Sequence, residues 1–218
     1  IAANFSYTQW FADFTHSFGA LSLPFGDQFT MALSMVSLSS GEIPVTTIQN
    51  PEGDGSYYEV SDVSIGFTFS GYLTDQFSFG LTGRYVRTGF ASVASSGMSF
   101  DIGTMYQTGI QGIKLGFAIM NLGTEQTYEG NDLSDNKKIH NNLNAAPLDV
   151  QYNATSFGLP LAFRAGITSD IINSKEHKLI ASGDFTTFSD IPEQFALGSE
   201  YTWNEIISLR AGYVFGAD

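Results

Sequence analysis

The chain has 218 residues, a net charge of −13, no cysteine and only 14% charged residues. The absence of cysteine excludes disulfides and thiolate metal sites, and the acidic balance argues against a nucleic-acid partner, which would need a basic face. The length suits one all-β domain over residues 1–218. No apolar run is long enough to predict a membrane-spanning helix.

Apolar and small or polar residues alternate along the chain. In residues 61–72, Val63, Ile65, Phe67 and Phe69 alternate with serine, glycine and threonine. A period of two predicts a β-strand with one apolar and one polar face. The recurring pattern predicts eleven strands, in chain order at 4–11, 16–24, 29–37, 61–72, 77–89, 97–107, 113–120, 158–168, 177–187, 194–202 and 206–215.

The connections between these strands differ in length. Short turns follow every second strand, except that residues 169–176 form a connection of moderate length. Two long loops, 38–60 and 121–157, follow the third and seventh strands. In an up-and-down sheet both long loops lie at one rim, as in outer-membrane barrels. We therefore assign that rim to the cell exterior.

Charged residues within the strands fall almost wholly on the polar phase. The candidates for paired charges in a lumen are Arg84, Asp101, Lys114, Arg164, Asp184, Glu200 and Arg210. Arg87 is on the apolar phase, but near a strand end, where its stem can reach the membrane interface. Aromatic residues concentrate at strand ends, as in an interfacial girdle: Trp10, Phe11, Phe25, Phe29, Tyr72, Phe77, Tyr106, Tyr201 and Trp203.

These features predict an antiparallel up-and-down transmembrane β-barrel in contact with the lipid of the bacterial outer membrane. Bacterial single-chain barrels have even strand numbers, so eleven strands imply at least one more. A soluble β-sandwich or lipocalin-like barrel remains the alternative, because alternation alone does not say which face meets water.

Several segments carry a resemblance to a known family. They are residues 5–14 (FSYTQWFADF), 38–47 (LSSGEIPVTT), 73–80 (LTDQFSFG), 100–109 (FDIGTMYQTG), 113–123, 159–166 and 209–216 (LRAGYVFG). In this order the chain resembles the PorV/PorQ family of outer-membrane proteins, which are related to FadL-type transporters. The resemblance implies a barrel of about fourteen strands, an even number of the kind outer-membrane barrels have. The eleven predicted strands would then be followed by three more.

The resemblance implies two activities. PorV-like proteins receive the C-terminal domains of secreted cargo in type IX secretion, and PorQ-like relatives belong to the attachment machinery. FadL-like relatives instead pass hydrophobic small molecules across the outer membrane. A structural surface role is a third possibility, since fold membership does not settle function.

The long loops contain apolar residues in an acidic setting, which favours a protein partner. The candidates for partner contact are Ile43, Val45, Ile48, Tyr57, Tyr58, Leu133, Ile139, Leu148 and Tyr152. The alternative is that these loops fold inward and cap the barrel. The polar phase of the third and fourth strands is small and polar, which does not favour a path for hydrophobic molecules.

No catalytic, cofactor or metal site is predicted. The three histidines, His16, His140 and His177, have no serine and acid partners at an interpretable spacing. The acidic loop residues at 52–54 and 131–136 lack the ordered ligand spacing of a calcium loop. We therefore expect a protein that is not an enzyme.

Overall fold

A computed structural model describes residues 1–137 and 147–216. It contains strands and two single-turn 3-10 helices, Phe11–Asp13 and Asn131–Leu133. Neither of these two described helices has the length or the apolar character needed to span a membrane. The strands are β1 (Ala2–Gln9), β2 (Thr15–Phe25), β3 (Phe29–Ser39), β4 (Ile43–Pro44), β5 (Tyr57–Tyr58), β6 (Val60–Tyr72), β7 (Phe77–Phe90), β8 (Val93–Gln107), β9 (Lys114–Gly123), β10 (Glu129–Gly130), β11 (Ser134–Lys137), β12 (Leu148–Gln151), β13 (Ala162–Asn173), β14 (His177–Phe188), β15 (Gln194–Trp203) and β16 (Ile207–Phe215).

One large antiparallel sheet dominates the structure. Its order is β1-β2-β3-β6-β7-β8-β9-β13-β14-β15-β16. The short β10 pairs with Val93 and Ala94 of β8, where β8 extends beyond β9. The pairs β4-β5 and β11-β12 form two small separate sheets. The prediction of an all-β antiparallel fold is confirmed, and each of the eleven predicted segments overlaps a long strand of the large sheet.

Some predicted strand boundaries were wrong. The first strand ends at Gln9 rather than at residue 11, because Ala12 and Asp13 adopt positive φ and turn the chain. Residues 158–161 are not in β13, which begins at Ala162. That strand continues to Asn173, so the connection predicted at 169–176 is a turn of residues 174–176. Long strands joined by such tight turns build a continuous antiparallel ladder.

Cross-strand register divides the large sheet into two faces. The polar face carries one phase of each strand, for example the row Ser34, Gly66, Arg84 and Ser99. The apolar face carries the other phase, for example the row Leu33, Phe67, Gly83 and Phe100. Residues paired across strands are on the same face, and successive residues of one strand alternate between faces. The pairing of the strands therefore assigns each row to one face.

Connections lie at two rims. At the turn rim the chain reverses at 26–28, 73–76, 108–113, 174–176 and 204–206. Asn204 and Glu205 both adopt positive φ there, the backbone that matches a tight hairpin to the twist of its strands. At the loop rim lie the two long connections, 40–59 and 124–161. Both are partly ordered by the short strand pairs β4-β5 and β11-β12.

The large sheet has no hydrophobic core of the usual kind. Of the residues whose burial the structure describes, Ala162 is the one buried residue with an apolar side chain. Large apolar side chains on the apolar face are instead exposed, and Phe67 is 52% exposed. No second layer therefore covers this face among the described residues.

Candidate functional site

The polar face is the candidate site, because it brings all seven predicted charge-pair candidates onto one surface. The register places Arg84, Asp101, Lys114, Arg164, Asp184, Glu200 and Arg210 on this face. It also carries three strand charges that were not predicted, Asp62, Asp170 and Lys178. Each of these three charges is next to an apolar residue of its strand, Val63, Ile171 or Leu179, and this alternation is the sequence signal that could have identified them.

Two pairs of candidates are in contact. Arg84 Nη2 donates to Asp101 Oδ2, across β7 and β8. Arg210 Nε donates to Glu200 Oε2, directly across β15 and β16. The first pair is much less exposed: the side chains of Arg84 and Asp101 are 29% and 13% exposed, whereas that of Arg210 is 74% exposed. Only the first pair is therefore well shielded from water.

Asp101 also holds the end of β9, shortly before the second long loop begins. Its Oδ1 accepts the backbone N–H of Asn121 at 2.9 Å, while its Oδ2 accepts from Arg84. Asn121 adopts a positive φ, and the β8-β9 register shifts beside Asp101. The Asn121 side-chain amide in turn donates to the carbonyl of Pro160 at 2.9 Å. The carboxylate thus stabilises an irregularity that redirects the chain.

The other three charge-pair candidates differ from these two pairs. Within residues 1–137 and 147–216, no ion pair involves Lys114, Arg164 or Asp184. Arg164 and Asp184 are nevertheless neighbours on β13 and β14, because Asp184 is opposite Gly166 and Arg164 is opposite Thr186. The structure therefore leaves a cation and an anion side by side without joining them.

A recess of about 510 Å³ surrounds these two charges. It is lined by two adjacent rows of the polar face together with the backbone between them. One row is Gly80, Gly103, Ala118, Arg164 and Thr186, and the other is Ser78, Met105, Gly116, Gly166 and Asp184. Five of these ten positions are glycine or alanine, so the wall lies close to the backbone.

A buried polar cluster adjoins Arg84 on the same face. Gln126, from the second long loop, is 2% exposed, and its Oε1 accepts from Ser95 Oγ at 3.3 Å. Gln126 Nε2 and Ser99 Oγ are buried without a hydrogen-bond partner in the described part of the chain. Sequence reasoning missed this cluster, because Gln126 lies in a loop and carries no periodic signal.

The predicted partner-contact residues lie at the loop rim. Ile43, Val45, Tyr58 and Leu133 are partly exposed, and the Tyr58 ring packs edge-on against Phe90. Ile48, Tyr57, Leu148 and Tyr152 are exposed. Ile139 lies outside the described residues.

Residues 43–58 form a hairpin at the loop rim, here called the rim hairpin. Val45 N donates to the carbonyl of Ser56 at 3.0 Å, and Asp54 N donates to the carbonyl of Val45 at 3.0 Å. Asp54 Oδ1 accepts from the hydroxyl of Ser56 at 2.5 Å and from its backbone N–H at 2.8 Å. These bonds lower the pKa of the Asp54 carboxyl, with the hydroxyl bond the largest cause. Ile48, at the tip, is 98% exposed.

The two described histidines, His16 and His177, are on opposite faces of the sheet. His16 is on the polar face opposite Leu38, and His177 is on the apolar face, where its Nδ1 lies 2.6 Å from Tyr201 Oη. His140 lies outside the described residues. Within residues 1–137 and 147–216, no three His, Asp or Glu side chains are grouped so as to hold a metal ion.

Comparisons with known proteins identify no family for this chain. The chain matches no protein-family model, and no curated protein shows significant similarity to it.

Proposed function

We propose that this chain forms the wall of a transmembrane β-barrel in the bacterial outer membrane and binds protein partners at its loop rim. In this proposal the apolar face meets lipid and the polar face lines the lumen. The resemblance to the PorV/PorQ family suggests that the partners are secreted cargo or subunits of a type IX secretion or attachment complex. The observation that carries the proposal is the uncovered apolar face, together with the exposed Ile48 and Tyr57 of the rim hairpin.

The composition of the apolar face supports contact with lipid. Among the described residues of this face, the charged side chains are those of Arg87, beside Val63 and Ser96, and Glu129 of the short β10, opposite Ala94, and both lie toward the loop rim. A Lys or Arg at the bilayer midplane costs about 2–4 kcal/mol, so a lipid-facing surface excludes them there. Soluble monomers rarely leave a continuous apolar face in contact with water.

Aromatic side chains near the turn rim support an interfacial girdle. Phe25, Phe29, Phe77, Tyr106, Tyr201 and Trp203 are all on the apolar face. Tyr72 differs from the prediction, because its register with Ser78 puts it on the polar phase. Amphipathic aromatic rings favour the headgroup level of a membrane.

Barrel closure sets a requirement on strand number. The edge strands β1 and β16 are exposed along their whole length, and both run from the turn rim to the loop rim. Direct pairing of the two edges would be parallel, so antiparallel closure needs an odd number of strands between them. Three such strands would give the fourteen expected from the resemblance. In lipid, unpaired backbone groups cost several kcal/mol each, so closure is required.

The loop rim favours protein contact over hydrophobic transport. Ile48, Tyr57 and Leu148 expose apolar surface in an acidic setting, as anchors in protein interfaces do. The polar face offers mostly glycine, alanine, serine and threonine, with charges. A hydrophobic ligand would leave those polar groups and charges without partners along its path.

Photo-crosslinking in native outer membranes tests the proposal. A photoreactive residue at Ile48 should capture secreted proteins that share a C-terminal β-domain, or other secretion subunits, identified by mass spectrometry. The same residue at Asp75, in the turn-rim connection 73–76, serves as the control and should not capture them. Capture at neither position, or equal capture at both, would contradict the partner role. Recovery of the chain in the soluble fraction would contradict the membrane role.

A further inference from the structure

The recess on the polar face has an open floor between two ends. Its floor is formed by Gly116 and Gly166, which are opposite each other on β9 and β13. A Cβ at Gly116 would meet nothing within 4 Å, so the space above it is empty. Met105 flanks the two glycines on one side and Asp184 flanks them on the other. The recess is therefore a defined volume bounded by an apolar side chain and a carboxylate.

The Asp184 carboxylate lies across the floor. A Cβ at Gly166 would stand 2.6 Å from Asp184 Oδ1, which means that the carboxylate occupies the space this glycine leaves free. Arg164 is two residues from Gly166 on the same strand and face, a separation of about 6.6 Å along the strand. The anion thus lies within a few ångströms of the strand that carries the cation.

These two charges remain apart, unlike the other charge pairs of this face. Arg84 and Arg210 each donate to a carboxylate, whereas Arg164 and Asp184 take part in no ion pair within residues 1–137 and 147–216. Both side chains are exposed to the recess side of the sheet. A ligand that carries one anionic and one cationic group would complement both of them.

We propose that this recess binds the zwitterionic head of an α-amino acid. The ligand carboxylate is held by the Arg164 guanidinium, which suits bidentate recognition, and the ligand ammonium by the Asp184 carboxylate. The apolar part of the ligand extends over the glycine floor toward Met105. The volume of about 510 Å³ falls within the range of small-molecule sites, about 300–1,000 Å³. This site concerns the polar face alone, whether or not the loop rim binds a protein.

Ligand analogues test the charge requirement directly. The full chain in detergent micelles is titrated with L-leucine, N-acetyl-L-leucine and L-leucinamide, and binding is measured by calorimetry. Leucine should bind, and each analogue, which lacks one of the two charges, should bind at least about tenfold more weakly, the loss of one charge-assisted hydrogen bond. Absence of leucine binding, or equal binding of all three compounds, would overturn the proposal.

Variants test the residues. Arg164→Gln and Asp184→Asn should each weaken leucine binding at least about tenfold. Gly116→Leu should abolish it by filling the recess with both charges retained. The control Arg210→Gln changes an exposed, paired arginine of the same face and should leave binding unchanged. The double exchange Arg164→Asp with Asp184→Arg retains both charges and should recover binding with the ligand reversed.

Each variant is first checked for native strand content by circular dichroism. If Arg164→Gln or Asp184→Asn loses its strand content, the proposal is tested by leucine binding to Gly116→Leu and to the double exchange. Unchanged leucine binding in Gly116→Leu, or an equal loss in Arg210→Gln, would place any leucine site outside the recess.

Discussion

Gln126 lies against Gly97 so closely that a Cβ at Gly97 would stand 2.7 Å from Gln126 Cγ. The loop residue and the strand residue therefore fit only because position 97 has no side chain. Through this contact, and the bond from Ser95 Oγ, the second long loop packs on the polar face of β8. Part of this loop therefore lies against the polar face of the sheet, and whether the loops cap a barrel stays a prediction.

The contact predicts a clash in Gly97→Ala. The added Cβ displaces Gln126 or strains β8, and overpacking of this kind costs about 1–3 kcal/mol of unfolding free energy. Equilibrium unfolding by urea in lipid vesicles measures the change. The control is Gly19→Ala on β2, where a Cβ would meet nothing within 4 Å and stability should hold or rise. Equal destabilisation by both substitutions would contradict the role of the Gln126 contact.

The two ion pairs should differ in their contribution to stability. Arg84→Gln leaves the Asp101 carboxylate, 13% exposed, with the Asn121 N–H as its remaining donor. We expect a loss of about 1–3 kcal/mol, the cost of a shielded group left without its partner. Arg210→Gln removes an exposed charge and should change stability by less than about 1 kcal/mol. Urea unfolding of both variants compares them, and the reverse order of losses would refute this ranking.

If the apolar face meets lipid, a charged residue introduced there should lower the free energy of unfolding most near the middle of the bilayer. Phe67 is in the middle of this face, between Leu33 and Gly83. Phe67→Arg should cost about 2–4 kcal/mol in lipid vesicles if this face meets the bilayer. Ile48→Arg, at the tip of the rim hairpin, should change stability by no more than about 0.5 kcal/mol. Similar values for the two variants, measured by unfolding in vesicles, would argue against lipid contact at Phe67.

The rim hairpin should respond to acidic pH. Hydrogen bonds from the Ser56 hydroxyl and then its N–H favour the charged form of Asp54, so the pKa of this carboxyl is below its ordinary value. Its contribution to hairpin stability is full above the unfolded-state pKa and is lost as the pH falls through the lowered pKa. Ser56→Ala should raise the pKa of Asp54 toward its ordinary value. NMR titration of the Asp54 carboxyl carbon measures this effect.

Thr74→Ala, in a turn at the opposite rim, serves as the matched control for that titration. It also removes a hydroxyl that accepts nearby backbone N–H groups, but far from Asp54. An Asp54 titration that is the same in Ser56→Ala as in the unaltered chain would disprove the proposed cause.

The sequence alone determined where the eleven long strands of the large sheet lie, apart from their ends, and which phase of each strand is apolar. Alternation of apolar and polar side chains is a local pattern, and it predicts both the extended backbone and the side that each residue occupies. It therefore located the seven charged candidates on one face without any knowledge of strand pairing. The alternation of short turns with longer connections also predicted the two rims.

Tertiary structure alone decided which charges meet. Arg84 contacts Asp101 while Arg164 and Asp184 stay apart, although both pairs are diagonal neighbours on adjacent strands. The register shift beside Asp101, the glycine at 166 and the position of Gln126 arise from contacts between distant parts of the chain. Because register and bulges depend on pairing partners rather than on local pattern, no reading of single strands could have supplied them.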